Sequence, residues 1–344
     1  MEGCFIMDKV LRMGVIGCGF FGSKHCDVLV QLPNAKLTCV CDVNENTAKE
    51  VAAKYDCDYY TDVREMLQKA AVDAVSICVS EDYHFETAVA AAKAKKHILI
   101  EKPIATNAAD AVSIQKAAEE NGVRLMVAHI LKWDGRYVYT DEAIKRGDLG
   151  EVISMYFKRS TTHDTAENFG GKVSFFHYMI VHDFEAMLTF AAPAKVVKVY
   201  SQWTNKRNKA YNSQDTVFNT ITFDNGTLAS IQGCWSLPVN KALGIVAQAE
   251  VIGTKGVSYI DLKNQGLEII REHDETELPE LTYWPQYYGY TLGKLKEEIN
   301  HFINATLNGE EYLVSTENAI EAVRVIDACF ESLKTGLPVE INRA

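Results

Sequence analysis

No Cys-x-x-Cys pair occurs among Cys4, Cys18, Cys26, Cys39, Cys41, Cys57, Cys78, Cys234 and Cys329, and seven of these nine fall in the first quarter of the 344 residues. Without regular spacing they do not read as a disulfide framework, and reduced thiols in a cytosolic protein are the expectation. Positive charge is also scarce: 35 Lys and Arg against 46 Asp and Glu leave a net charge of −11. The acids are spread along the chain, so the basic surface that nonspecific nucleic-acid binding needs is missing. No apolar run approaches the roughly 18 residues of a membrane span. The opening MEGCFIMDKVLRMG has acids at Glu2 and Asp8 and only a short apolar run, so no signal peptide is expected. Internal repeats and low-complexity segments are absent too. What remains is 344 residues with a 47% apolar fraction, enough for two domains that each bury a core. A cytoplasmic globular protein without nucleic-acid or membrane partners is the expectation.

Up to about residue 130, short β-branched runs alternate with helical stretches. The runs are Met13–Ile16, Leu37–Cys41, Ala74–Val79, His97–Ile100 and Arg124–Ala128. That alternation predicts a parallel sheet covered by helices on both faces, an α/β Rossmann domain over 8–130. Asn44 and Thr61 are expected N-caps and Gly122 a C-cap. After Gly150 strands follow one another with few helices, ending with Leu267–Ile270, so an α+β domain with a large open, mostly antiparallel sheet is expected over 131–344. Its C-terminal helix is expected to pack back on the first domain. Asn225-Gly226 predicts a type I′ hairpin, because both turn positions need positive φ.

Gly17-Cys18-Gly19-Phe20-Phe21-Gly22 follows the first strand and opens the first helix. Glycines in that context permit a tight turn and a close backbone approach to a pyrophosphate at the helix N-terminus. Asp42 ends the second strand twenty positions after Gly22, where a dinucleotide fold needs a carboxylate for the ribose hydroxyls. Asp42 read alone is a helix-capping acid; with the glycines it points to NAD. Glu101-Lys102-Pro103 ends the Ile98–Ile100 strand, and ligands of open α/β sheets bind beyond the carboxyl ends of strands. By position alone Lys102 would be a surface lysine. His177, Tyr178, His182, Asp183 and Glu185 lie on a helix starting near Met179, and the spacing of four sets Tyr178 and His182 on one face. Zinc is not expected, since this is not the HxxxH ligand pair and no cysteine is near. Lys206, Arg207 and Lys209 read as a solvated loop, and Tyr283, Trp284, Tyr287, Tyr288 and Tyr290 as a packing segment or sugar-stacking surface.

Together GVIGCGFFG, VCDVN, Glu101-Lys102-Pro103, the Ile130–Tyr137 segment, Gly147–Gly150, Val181-His182-Asp183, Gly253–Gly256 and ESLKTGLPVEI resemble the Gfo/Idh/MocA family of nicotinamide-dependent oxidoreductases over nearly the whole chain. The resemblance implies a Rossmann domain, a C-terminal sheet used for oligomerisation, and hydride exchange with a secondary hydroxyl carbon of a sugar, cyclitol or nucleotide sugar. It makes Lys102 the family's EKP lysine and His182 its helix histidine. Many members carry an aspartate four residues before that histidine; here Tyr178 stands there, and Val79-Ser80-Glu81 replaces a TPP-type turn.

The candidate catalytic residues are Lys102, His182 and Tyr178. Candidate cofactor-binding residues are Gly17, Gly19, Phe20, Phe21, Gly22, Asp42, Ser80, His84, Glu101 and Lys102, and no metal is expected. A non-catalytic NAD sensor and an NAD-using glycoside hydrolase with transient oxidation are the alternatives. A homodimer or homotetramer is expected through the sheet face carrying Val217, Ile221 and Phe223.

Overall fold

The computed structural model describes residues 9–341 apart from 212, 240–244, 264 and 272–275, so Glu2 and Asp8 lie outside the described residues. The chain divides into two compact units, Met1–Ile130 with Thr282–Thr316, and Leu131–Leu281 with Glu317–Ala344. The sequence reading had assigned 282–316 to the second domain.

The first unit runs β1 (Leu11–Ile16), α1 (Phe20–Leu29), β2 (Ala35–Cys41), α2 (Glu45–Tyr55), β3 (Asp58–Tyr60), α3 (Val63–Lys69), β4 (Ala74–Ile77), α4 (His84–Lys93), β5 (His97–Glu101), α5 (Ala108–Asn121) and β6 (Leu125–Ala128). Its six strands are all parallel, in the order β3-β2-β1-β4-β5-β6. Central strands of such a sheet are buried on both faces, and every residue of β4 is buried, the polar Ser76 included. The strand order reverses direction between β1 and β4, and the crevice there is where open α/β sheets take ligands. Asn44 caps α2, its side chain accepting from the backbone of Asn46 and Thr47 at 3.1 and 3.3 Å. Gly122 ends α5 with φ +63°. The cap of α3 is Asp62 and not Thr61: its carboxylate accepts from Glu65 N at 2.8 Å, one residue later than expected. β3 went unforeseen, being a three-residue edge strand with no buried residue to pattern it.

The second unit contains α6 (Gly135–Arg146), β7 (Val152–Thr162), α7 (His163–Phe169), α8 (Val181–Ala191), β8 (Val196–Thr204), β9 (Thr216–Phe223), β10 (Leu228–Leu237), β11 (Val246–Gly253) and β12 (Val257–Asp261). In the chain there follow a two-strand ladder, β13 (Gln286–Tyr287) and β14 (Tyr290–Thr291), then α9 (Lys294–Asn308), α10 (Thr316–Thr335) and β15 (Val339–Glu340). The large sheet has the order β12-β11-β7-β10-β9-β8-β15, antiparallel except for the β7–β10 pair.

Three local expectations fail for identifiable reasons. Asn225 and Gly226 do make a hairpin, but Asn225 is not among the residues of positive φ; Gly226, at +88°, donates its N–H to Phe223 O at 3.1 Å. The loop is therefore three residues long, with glycine taking the left-handed position alone. Leu267–Ile270 forms no strand, only a bridge from Ile269 to Glu277, because Leu267, Ile269 and Ile270 all stay exposed and no face is buried. Val217, Ile221 and Phe223 occupy the buried face of β9, and the opposite face exposes Phe218 at 50%. The period of two was right and its phase wrong, which exchanges the two faces.

Candidate functional site

A cleft of about 410 Å³ opens at the carboxyl ends of β1, β2 and β4, and its walls include Gly17, Gly19, Asp42, Cys78, Val79, Ser80, Tyr83 and Thr87. Gly17 has φ +92°, and a Cβ there would stand 2.6 Å from the Cys78 carbonyl; a Cβ on Gly22 would stand 1.7 Å from the Gly17 carbonyl. Side chains at these two positions would force the turn apart. Gly19 differs: a Cβ there would meet nothing within 4 Å, so its missing side chain leaves open space at the N-terminus of α1. That terminus has no acid in its first turn and no side-chain cap. Free N–H groups facing open space make a site for an anionic group.

Asp42 is fixed beside this loop by two backbone donors, Cys18 N to Oδ2 and Asn44 N to Oδ1, both at 2.8 Å. The carboxylate thus faces the cleft in a set orientation with lone pairs left for hydroxyl donors. The glycine cradle, the helix terminus and the carboxylate fit the pyrophosphate and ribose of a dinucleotide. Ser80 lines the same cleft. Phe20 and Phe21 belong to the helix start, and their rings meet Trp284 edge-on, with centroids 6.0 and 5.5 Å apart. Trp284 thereby accounts for part of the aromatic segment; Tyr283 is buried, with Lys294 Nζ 3.9 Å from its ring centre.

His84 is buried behind the cleft wall, its ring nitrogens 2.7 Å from Pro103 O and 3.1 Å from Val79 O. It braces the turns after β4 and β5, and burial pushes its pKa below the usual histidine range. Lys102 occupies the turn at the end of β5, before a cis bond to Pro103. The Glu101 carboxylate accepts from Lys102 N at 3.3 Å and faces His25 Nε2 at 3.1 Å.

In the second unit, Tyr178 lies in a π-helical turn, Phe176–Ile180, and His182 in the first turn of α8. Val181 N donates to Phe176 O, five residues back. The wider turn offsets the two side chains, so the expected shared face, which assumes α geometry, does not follow from the spacing. The Tyr178 ring packs edge-on against Phe169, centroids 4.7 Å apart. Asp183, next to His182, is fully buried and clamped by Arg159 of β7 through Nε at 2.7 Å and Nη2 at 3.0 Å. Burial pushes the Asp183 carboxyl up, and the guanidinium opposes that rise. Glu185 is likewise buried, 3.3 Å from Lys132 Nζ and accepting from Thr189 Oγ1 at 3.0 Å. Two ion pairs thus anchor the helix that carries the histidine. The basic loop is held by its main chain, with Asp215 accepting from the backbone of Lys206, Arg207 and Asn208. Among the described residues, no group of three or more His, Cys, Asp or Glu is placed to hold a metal ion, and no helix is long and apolar enough to cross a membrane.

Residues 11–129 match the description "Oxidoreductase family, NAD-binding Rossmann fold" and residues 141–341 its "C-terminal alpha/beta domain". The chain belongs to the Gfo/Idh/MocA oxidoreductase family. It is similar to scyllo-inositol 2-dehydrogenase (NAD(+)) of Bacillus subtilis strain 168, 25% identical over 98% of both chains. Similarity to 2,7-anhydro-N-acetylneuraminate hydratase of Escherichia coli K12 is 28%, over 74% of this chain and 68% of the other. The fold matches scyllo-inositol dehydrogenase of Lactobacillus casei with bound NAD(H) and scyllo-inositol at a TM-score of 0.82 and 18% identity, over 96% and 99% of the two chains. NAD is the cofactor of this Gfo/Idh/MocA oxidoreductase, whose first unit is its NAD-binding domain.

Sequence reasoning missed several residues of the cleft and of the region around α8. Cys78, Tyr83 and Thr87 reach the cleft only because β4 lies next to β1. Arg159 had left a signal, since it shares the inward alternation of Met155 and Phe157 in β7, and an arginine there needs a buried partner.

Proposed function

We propose that this oxidoreductase transfers a hydride between NAD and a secondary hydroxyl carbon of a sugar, cyclitol or nucleotide sugar. The observation that carries the reading is Lys102, held by its own backbone at the carboxyl end of β5 in the unit whose glycine-lined cleft fits NAD. Gly17, Gly19, Gly22 and Asp42 hold the cofactor, and Ser80 contributes a hydroxyl to the wall. NAD, when bound, supplies the hydride acceptor. Lys102 donates a hydrogen bond to the reacting oxygen and stabilises its developing negative charge. His182 accepts the hydroxyl proton, the general-base role that imidazole most often serves. Tyr178 extends the proton path. Homologues named as inositol dehydrogenases support a polyol substrate.

A screen of cyclitols, free sugars and nucleotide sugars for NADH formation tests this reading. Lys102→Ala is expected to lower kcat by about 10²-fold or more with NAD affinity within about twofold, because its bond strengthens in the transition state. His182→Ala is expected to lower kcat by about 10²–10⁴-fold and to flatten the acidic limb of the pH–rate profile. Near wild-type kcat in both variants overturns the assignment. A second reading draws on the hydratase relative. Hydration involves no net oxidation, so product formation without NADH accumulation on any substrate would favour it.

We also propose a homo-oligomer joined through the second unit's sheet, on the face that exposes Tyr156, Phe218, Leu228 and Tyr259. Aromatic and aliphatic side chains gathered on one open sheet face are characteristic of an association surface.

A further inference from the structure

Behind the Lys102 turn, the first unit buries a group of titratable side chains that the proposed chemistry does not use. His25 on α1 has no solvent exposure. Its Nδ1 lies 2.7 Å from Ser76 Oγ on β4, and its Nε2 lies 3.1 Å from Glu101 Oε1. Ser76 Oγ is also 3.4 Å from Cys78 Sγ, and Cys78 lines the cleft. The other Glu101 oxygen accepts from Lys102 N. A continuous line of hydrogen bonds therefore runs from the cleft wall after β4, through α1, to the backbone of Lys102. Glu298 of α9 closes the group; it is buried, and its Oε1 has no hydrogen-bond partner among the described residues.

We propose that His25 is a positioning residue for Lys102, tying the carboxyl ends of β4 and β5 together through Ser76 on one ring nitrogen and the Glu101 carboxylate on the other. A carboxylate only accepts, so Nε2 carries a hydrogen. Charge balance decides the other nitrogen. Burial alone would lower the His25 pKa, but Cys78 and Glu101 outweigh it and hold the ring well above the ordinary histidine range. Nδ1 therefore donates to Ser76 Oγ, whose hydroxyl donates to Cys78 Sγ. Burial would raise Glu101, yet His25, Lys102 and His84 together hold it below the usual carboxylate range. Glu298 goes the opposite way: burial and the nearby Glu101 charge, opposed by His25, push it well up, so it remains a neutral acid. A cation, an anion and a neutral acid thus lie side by side, and the anion is pinned from two sides. This bears on function through the role assigned to Lys102, whereas the protonation of His25 stands independently of that role.

Nitrogen-15 spectra of the full chain labelled at histidine test the protonation, with His25→Gln identifying the signal. Both ring nitrogens of His25 are expected to stay protonated from pH 6 to 8.5, and Glu101→Gln is expected to bring its titration into that window. A neutral His25 at pH 7, or no response to Glu101→Gln, overturns the proposal. Positioning is read on whichever sugar or cyclitol the NADH screen identifies. The ratio of kcat/KM in His25→Gln to that of wild type should be at least tenfold down at pH 8. It should fall further toward pH 6, as Glu101 loses its counter-charge and takes up a proton. An unchanged ratio, or one equally low at every pH, overturns the role. Ser76→Ala removes only the Nδ1 partner and serves if His25→Gln does not fold, with kcat/KM expected to fall by a smaller factor and an unchanged value overturning the role. Should Lys102→Ala keep full activity while His25 behaves as expected, the reading of Lys102 fails and the buried ion pair survives.

Discussion

Replacing Arg159 by Met removes one half of a buried ion pair and leaves Asp183 alone in the core beside His182. Both charges are essentially out of water, at 2% and 0% exposure, and two bonds of 2.7 and 3.0 Å join them. Stranding one member of such a pair costs about 3–5 kcal/mol, far more than a surface pair of the same length. The loss has a pH dependence whose sign follows from the carboxyl. Burial already raises Asp183, and without the guanidinium it rises further, so the folded variant binds a proton over a range where the wild type has released it. Across that range the stability gap between the two proteins widens by about 1.4 kcal/mol per pH unit as pH increases. At acid pH, with Asp183 protonated in both, the gap is smallest. Urea titrations at pH 5, 6.5 and 8, followed by the fluorescence of buried Trp235 in the same unit, measure it. Asp183→Leu combined with Arg159→Met should recover most of the loss, because an apolar pair leaves no unpaired charge. Since the pair anchors the first turn of α8, Arg159→Met should also lower kcat, on the order of 10²-fold if His182 shifts by about 1 Å. A loss below about 1 kcal/mol that does not change with pH would refute the reasoning.

Asp42→Ala should erode a preference for NAD over NADP in a binding titration. A 2′-phosphate beside this carboxylate meets repulsion of about 4 kcal/mol per unit-charge pair at 4 Å and an effective dielectric of 20, reduced by screening. Equal NADPH and NADH affinity in the unmodified protein would count against the role of Asp42. Gly19→Ala should fold with stability within about 0.5 kcal/mol, having nothing to strike, yet bind NAD at least tenfold more weakly. Gly22→Ala, with its Cβ driven into the Gly17 carbonyl, should lose both NAD binding and about 1–3 kcal/mol of stability in a thermal melt. Phe218→Glu should shift light scattering toward the 38.4 kDa monomer, and an unmodified protein that is already monomeric at micromolar concentration would remove the proposed interface.

Apart from β3, the order of elements up to residue 130 was legible because local physics repeats there. A sheet covered on both faces needs apolar strands, its helices need caps such as Asn44 and Gly122, and a tight phosphate turn needs glycine at Gly17 and Gly22. Asp42 was legible for the same reason, as one position at a strand end serves one purpose. The second unit was legible in β7 to β12, and the phase of β9 was not. The faces of β9 depend on what packs against the sheet, and the sequence of β9 alternates equally well for either choice.

The amino-acid order by itself determined the parallel sheet, the glycine turn, the Asp42 carboxylate and the family to which the chain belongs. Tertiary structure alone decided which polar groups meet. His25, Ser76, Glu101 and Glu298 are far apart in the chain and join only because β4 and β5 lie side by side under α1 and α9. Arg159 and Asp183 find each other across 24 residues, and the π turn that offsets Tyr178 from His182 arises within the packed unit. Hydrophobic period and turn chemistry act over a few residues and can be read in order. Hydrogen-bond partnership and proton affinity depend on burial and on neighbours from distant segments, and those exist only once the chain has packed.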